Sequence, residues 1–136
     1  MKKAISIACL LLLALGLTGC IAASPAEQEY WGSFTNAPVV SDDGKYRAEH
    51  SAVRRAEHKV SVIEVRVYDH QTGALVDRFI PARAMDFWGI CWEEGSHRIW
   101  IQSADIGIHC YELQGEKWVL NEGVVRPASI VSKWDD

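Results

Sequence analysis

The chain has 136 residues, of which 14 are basic and 18 are acidic, and its formal net charge at pH 7 is −4. A chain of this length can build one domain with a modest core, but not two. The acidic balance argues against nucleic acid or anionic lipid as a partner, because both are negative and neither would be attracted electrostatically.

The first twenty residues, MKKAISIACLLLLALGLTGC, predict an export signal. Two lysines, Lys2 and Lys3, precede an apolar run of 14 residues from Ala4 to Leu17. At about 1.5 Å per residue, a helix of that length is too short for a hydrocarbon core of roughly 30 Å. The length is typical of the apolar part of a signal peptide, which we predict over residues 1–19.

The end of this signal, Leu17-Thr18-Gly19-Cys20, resembles the lipobox of bacterial lipoproteins. The resemblance implies that the Cys20 thiol receives a diacylglycerol and that the signal is cut just before it. Small Thr18 and Gly19 leave the backbone open to a peptidase, and a thiol is needed for the thioether. One acyl chain binds membranes only marginally, at about 0.8 kcal/mol per buried CH₂, whereas two or three hold firmly. An ordinary secretory signal with an incidental cysteine is the alternative.

Cleavage at this point would leave residues 20–136, with 12 basic and 18 acidic residues and a formal charge of −6. The lipobox implies a place in the cell envelope, anchored to a membrane and facing away from the cytoplasm. That is the outer membrane or periplasm of a Gram-negative cell, or the surface of a Gram-positive one. The residue after the cysteine is Ile21 and not Asp, which the resemblance to lipoproteins makes compatible with sorting to the outer membrane.

The rest of the chain divides into a tether, a domain and a tail. Residues 20–29 are small, polar and proline-containing, which is typical of a short linker. Alternating and apolar segments with turn residues between them predict a β-rich domain over 30–125. We interpret residues 126–136 as a C-terminal tail that packs as an edge or stays free.

The clearest strand is Lys59 to Asp69, in which apolar residues fall on both faces. The residues His70 to Gly73 form a turn, and Ala74 to Ile80 return as a strand that Pro81 ends. Near the C-terminus, Lys117 to Leu120 reads as a last strand.

Three further strands are predicted at Phe87–Trp92, Arg98–Ser103 and Ile106–Leu113. We expect Cys91 to lie opposite Ile99, and Ile99 to lie opposite Cys110. Because side chains alternate along a strand, the residues of these three strands divide between the two faces of the sheet. One face holds Phe87, Gly89, Cys91, Ile99, Ile101, Ile108 and Cys110, and the other holds Trp88, Ile90, Trp92, Trp100, His109, Tyr111 and Leu113.

The aromatic residues of this stretch have two interpretations. Trp88, Trp92, Trp100 and Tyr111 could form a stacking face for a glycan or peptide, since their polar tips suit mixed surfaces. The favoured interpretation is that they fill the core beneath the N-terminal segment Tyr30 to Phe34.

The sequence leaves open whether the two cysteines of the domain form a disulfide. An oxidising compartment permits a bridge between Cys91 and Cys110. In the expected meander, however, they lie two strand spacings apart, roughly 9–10 Å, whereas a bridge needs Cα atoms within about 7 Å. No metal site is predicted, because His97, His109 and the cysteines lack the spacing of zinc ligands.

Two segments resemble blades of bacterial β-propellers of the WD40-like kind. The first has Ser41-Asp42-Asp43-Gly44-Lys45, followed by Tyr68-Asp69 and Thr72-Gly73; the second runs more loosely over 92–105. A propeller needs typically four to eight blades, and this chain has room for about two. The resemblance implies antiparallel meanders, in an open sheet, a small sandwich or a fragment that oligomerises, and it carries over no catalytic residues.

These features predict a lipoprotein that displays one small all-β domain and has no enzymatic activity. No nucleophile signature is present, and no cofactor is expected. The predicted role is protein interaction, inhibition or scaffolding, with an envelope protein as partner. The alternative is a module that binds glycan or cell wall through its Trp-rich face.

Overall fold

The computed structural model describes residues 30–54, 56–57, 59–85 and 87–135, so the predicted signal peptide, Cys20 and the tether lie outside the described residues. Ten strands make up its regular structure. They are β1 (Tyr30–Trp31), β2 (Phe34–Thr35), β3 (Val39–Val40), β4 (Tyr46–Val53), β5 (Val62–Asp69), β6 (Leu75–Phe79), β7 (Trp88–Trp92), β8 (Ile99–Ser103), β9 (Gly107–Gln114) and β10 (Lys117–Leu120).

The all-β prediction is confirmed, and the strands form two antiparallel sheets. One sheet has four strands in the order β3-β4-β5-β6, and the other has six in the order β1-β2-β7-β8-β9-β10. Each sheet therefore contains a meander of four consecutive strands, and the short hairpin β1-β2 extends the second one. Antiparallel neighbours joined by short turns account for this order.

The two sheets pack face to face around the main core. The buried residues of this core come from both sheets and from the connection after β6; they are Tyr46, Ala48, Ile63, Val65, Val67, Ala82, Ile90, Ile99, Ile101, Tyr111 and Trp118. Hydrogen bonds join the sheets at their margins as well. The Trp92 indole donates to the Val39 carbonyl at 3.1 Å, and the Trp118 backbone N–H donates to Asp77 at 2.7 Å.

A second apolar cluster covers the other face of the six-stranded sheet. It consists of Phe34, Cys91, Trp100, Cys110 and Ile130. Ile130 belongs to the predicted tail, which is not separate from the domain. Of the two possibilities stated for residues 126–136, the described residues show packing, because burial of Ile130 holds this segment on the sheet.

Polar contacts fix the C-terminal segment in place. The Ser33 N–H donates to the Val131 carbonyl at 2.8 Å, and the Val131 N–H donates to the Ser33 hydroxyl at 2.8 Å. The fully buried Gln102 accepts a 2.6 Å hydrogen bond from Ser132 through its side-chain oxygen. Buried polar groups need such partners, and this segment supplies one for the Gln102 side-chain oxygen, whereas the side-chain nitrogen has no hydrogen-bond partner among the described residues.

The register of the six-stranded sheet differs by one residue from the expected one. Cys91 lies opposite Trp100, not Ile99, and Trp100 lies opposite Cys110. Ile99 instead pairs with Trp92 on one side and Tyr111 on the other. Since side chains alternate with a period of two, this slip exchanges the faces of every β8 residue.

Gly32 lies against the C-terminal segment, so a substitution there measures how firmly that segment is packed on the domain. It has a φ of 67°, and a Cβ atom added there would lie 2.3 Å from the Val131 carbonyl oxygen. Gly44 has a similar φ of 71° but no atom within 4 Å of such a Cβ. We expect Gly32→Ala to lower the free energy of unfolding by about 2–4 kcal/mol, and Gly44→Ala by about 1 kcal/mol, because only the first adds a clash to the unfavourable φ.

Urea unfolding followed by tryptophan fluorescence measures both values. Equal losses in the two variants would show that the C-terminal segment moves aside without cost.

Candidate functional site at the turn end of the sandwich

Two turns from different sheets meet at one end of the molecule. The turn between β3 and β4 supplies Asp42 and Asp43, and the turn between β7 and β8 supplies Gly95 and His97. The Gly95 backbone N–H donates to the Asp42 carboxylate at 2.7 Å. The His97 Nε2 lies 2.7 Å from the Asp43 carboxylate. These contacts lock the two sheets together at this end.

The Asp43 carboxylate is held by its own turn as well as by His97. Its other oxygen accepts hydrogen bonds from the Ser41 hydroxyl at 2.7 Å and from the Lys45 N–H at 3.0 Å. The hydrogen bond from His97 is the largest reason that the pKa of Asp43 lies well below its ordinary value, and the bonds from Lys45 and Ser41 lower it further. Hydrogen bonds to a carboxylate favour its charged form, so Asp43 stays an anion throughout the neutral range.

Arg98 joins two glutamates beside this contact. Its guanidinium lies 3.2 Å from Glu93 and 2.9 Å from Glu112. A hydrogen bond from Asn121 and then the one from Arg98 lower the pKa of Glu112. Glu93 also accepts a 2.7 Å hydrogen bond from the Trp100 indole, which connects the charged cluster to the outer apolar cluster.

The turns and strand ends form an open, acidic cleft. One part has a volume of about 500 Å³ and is lined by residues 93–98, Glu112 and Leu113. An adjoining part of about 280 Å³ is lined by Asp42, Asp43 and residues 95–97. Five carboxylates line the two parts together, whereas Arg98 is the one arginine or lysine among these lining residues. We call this feature the acidic cleft.

The predicted aromatic ligand face is not formed. The shifted register places Trp100 on the outer face of the sheet, opposite to Trp88, Trp92 and Tyr111. Trp100 is only 2% exposed and Tyr111 only 7%. The prediction that these four residues share one face is wrong, because the one-residue slip turns Trp100 to the other side of the sheet.

The remaining aromatic residues of that prediction pack inside the sandwich. Trp88 and Trp92 are half-buried against the main core, and Tyr46 stacks on Trp92 with ring centroids 6.3 Å apart. Tyr111 stacks on Phe79 of the opposite sheet at 4.6 Å. These contacts agree with the interpretation of the aromatic residues as core, although the second sheet covers them and not the N-terminal segment.

Of the two possibilities left open for Cys91 and Cys110, the structure has two free, buried thiols. Cys91 on β7 and Cys110 on β9 lie on either side of Trp100 on β8, so two strand spacings separate them, roughly 9–10 Å. Burial raises the pKa of Cys91 to about 12, and burial is also the main reason that the pKa of Cys110 rises to about 11. Both are therefore poor nucleophiles at neutral pH.

Among the described residues, no group of three or more histidine, cysteine or acidic side chains could hold a metal ion. Within the same ranges, no helix is long and apolar enough to cross a membrane. No protein-family model, curated protein or solved structure matches this chain. Function is therefore inferred from the site itself.

Sequence reasoning did not find the acidic cleft. Asp42 and Asp43 appear in the sequence as ordinary turn residues, and His97 appears only as an isolated histidine. The contacts that join them span 53 and 54 residues. No local pattern marks such pairs.

The contact between Asp43 and His97 predicts a pH effect on stability. A carboxylate whose pKa is lowered by folding stabilises the folded state above its ordinary value of 3.8, and this contribution disappears as the pH falls below that value. We expect Asp43→Asn to lower the free energy of unfolding at pH 7. The difference from the wild-type protein should shrink steadily below pH 3.8.

Denaturant unfolding between pH 7 and pH 2.5 gives the comparison, with Asp42→Asn as the matched control in the same turn. A constant difference across this range would contradict the assigned role of the Asp43 carboxylate.

The buried thiols predict slow alkylation. Iodoacetamide should label Cys91 and Cys110 at least tenfold more slowly in the native protein than in urea, because burial removes both access and thiolate. Peptide mapping without reductant measures both rates. Recovery of a peptide pair linked through Cys91 and Cys110 would instead establish the bridge.

Proposed function

We propose that the protein is a membrane-anchored lipoprotein of the cell envelope and that it binds another protein without catalysing a reaction. The Cys20 lipobox supports the anchor, and the acidic cleft is the surface that we assign to binding. Its partner is an envelope protein that presents a basic segment.

The charge of the acidic cleft carries this proposal. Glu93, Glu94 and Glu112 line its larger part, with Asp42 and Asp43 beside them. Arg98 is paired with Glu93 and Glu112, so the cleft keeps an excess of negative charge. Complementary charge steers a partner into place and selects against acidic ones. An acidic, open cleft of this kind suits lysine or arginine side chains.

The pairing of the same groups favours binding over catalysis. Asp42 accepts a hydrogen bond from the Gly95 N–H, and the Asp43 carboxylate contacts His97 Nε2. The Nε2 atom of His97 thus faces a carboxylate, and not a hydroxyl or thiol that it could activate. Charged groups already used to join the sheets give a rigid surface, which lowers the entropy lost on association.

The proposal predicts a charge-dependent interaction. Glu94 is exposed, lines the cleft and lies outside the contacts that lock the two turns. We expect Glu94→Lys to weaken binding of the captured partner by roughly tenfold, because a like charge would face the basic segment. Raising the salt concentration from 0.05 to about 0.5 M should weaken wild-type binding in the same direction.

Crosslinking and affinity capture of the tagged protein from its native membrane provide the measurement. Glu57→Lys makes the same charge change in the loop between β4 and β5, at the other end of the sandwich, and should leave capture unchanged. Cys20→Ala should abolish incorporation of labelled palmitate. Equal capture by the Glu94 and wild-type proteins would remove the acidic cleft from the proposal, and palmitate labelling of Cys20→Ala would remove the anchor at that residue.

A further inference from the structure

An aromatic cluster outside both cores lies at the opposite end of the sandwich from the acidic cleft. Phe87 is its centre: Trp31 contacts it edge to face at 4.9 Å between ring centroids, and Trp134 does so at 5.1 Å. The Lys133 ammonium lies 4.5 Å from the centroid of the same ring. We call Trp31, Phe87, Lys133 and Trp134, together with the neighbouring Val131, the aromatic patch.

The aromatic patch is partly open to solvent. Trp134 is 50% exposed and Val131 is 46% exposed, whereas Trp31 and Phe87 are half-buried. Eight other large apolar residues of the described chain are also exposed, so it is the contiguity of the patch that indicates an interaction surface. The residue types in the patch favour a membrane surface as its partner. Tryptophan is enriched where membrane meets water, and lysine can lay its aliphatic stem on apolar surface with its ammonium in the headgroup layer.

The aromatic patch lies at the far end of β7 from the acidic cleft. Phe87 immediately precedes β7, whereas the acidic cleft begins at Glu93, immediately after that strand. A strand of five residues is about 17 Å long at roughly 3.3 Å per residue. The aromatic patch and the acidic cleft therefore lie at opposite ends of one strand.

The chain outside the described residues ends at this patch. The described structure begins at Tyr30, the residue before Trp31, so residues 1–29 are joined to the domain beside this patch. From Cys20 to Tyr30 there are ten residue steps, which reach at most about 35 Å when fully extended. With Cys20 acylated, the patch is the part of the domain nearest to the anchor along the chain, and the anchor keeps it within about 35 Å of the bilayer.

We infer that the aromatic patch rests on the lipid headgroup layer and orients the domain with its acidic cleft directed away from the membrane. This inference depends on the proposed anchor at Cys20. Aromatic burial, and not charge, provides the attraction, since the mature chain is acidic and the patch contributes Lys133 as its cation. The patch is a second contact beside the acyl chains, which fix position but not orientation.

The test uses the full-length protein, purified with its lipid and reconstituted into vesicles of phosphatidylcholine with brominated acyl chains. Bromine quenches tryptophan fluorescence at short range. We expect brominated vesicles to quench wild-type emission relative to unbrominated ones. In Trp134→Phe the quenched fraction should fall about twofold, because Phe keeps the apolar contact but removes the exposed tryptophan of the patch and leaves the half-buried Trp31. High salt should not change either value.

Trp88→Phe is the matched control. It makes the same replacement one residue from Phe87, but its side chain packs toward the main core and contacts His50 at 4.1 Å. Its quenched fraction should not fall, and should rise slightly, because the variant loses a tryptophan that lies away from the bilayer. Quenching that is the same in the Trp134 variant and the wild-type protein would overturn the inference.

Intact mass and flotation separate this inference from the proposed anchor. An acylated protein that floats with the vesicles but shows no quenching overturns the orientation and leaves the anchor in place. If this protein carries Trp134→Cys and crosslinks to a second copy through that cysteine, the patch is assigned to self-association instead. A chain without acyl mass that is still quenched through Trp134 supports the patch and overturns the anchor, and a chain with neither property overturns both.

Discussion

Burial of both faces of β8 is the constraint on which the rest of the structure depends. All five residues of this strand are buried, including the polar pair Gln102 and Ser103. One face must be covered by the four-stranded sheet, and the other by Phe34 and the C-terminal segment around Ile130. The polar side chain of Gln102 then requires Ser132 as a partner, because a buried amide without hydrogen bonds is costly. The sandwich, the short β1-β2 hairpin and the seated C-terminus all follow from this strand.

The same constraint explains which parts of the fold could be predicted from sequence. Strand positions and turns are local, and Lys117–Leu120 was predicted with the bounds that β10 has. Register is different, because it is normally fixed by an apolar face opposite a polar one. Here Cys91 and Trp92 are both apolar, as are Ile99 and Trp100, so alternation fits either pairing equally well. The one-residue slip, and with it the failed aromatic face, arises from that ambiguity.

The acidic cleft and the seated C-terminus were missed for another reason. Asp43 meets His97 across 54 residues, and Ser33 meets Val131 across 98. Neither pair belongs to a periodic pattern, since each lies in a turn or irregular segment. Composition therefore marked a tail from residue 126 and left open whether it packs, whereas the contacts of Ile130 and Val131 hold this segment on the domain. What the sequence does supply for these sites is their chemistry: acidic turn residues and exposed aromatic residues, without the distances between them.

The pairing of Ser33 with Val131 also bears on how the protein is made. A chain emerges from a ribosome or an export channel with its N-terminus first. Almost a hundred residues must therefore follow Phe34 before the segment around Ile130, which packs in the same cluster, has emerged. Until then the outer face of β8 is exposed and open to aggregation. The final closure also joins segments of high sequence separation, which is slow compared with hairpin formation. A chaperone that shields this face during export would therefore have its greatest effect before residues 129–134 have emerged.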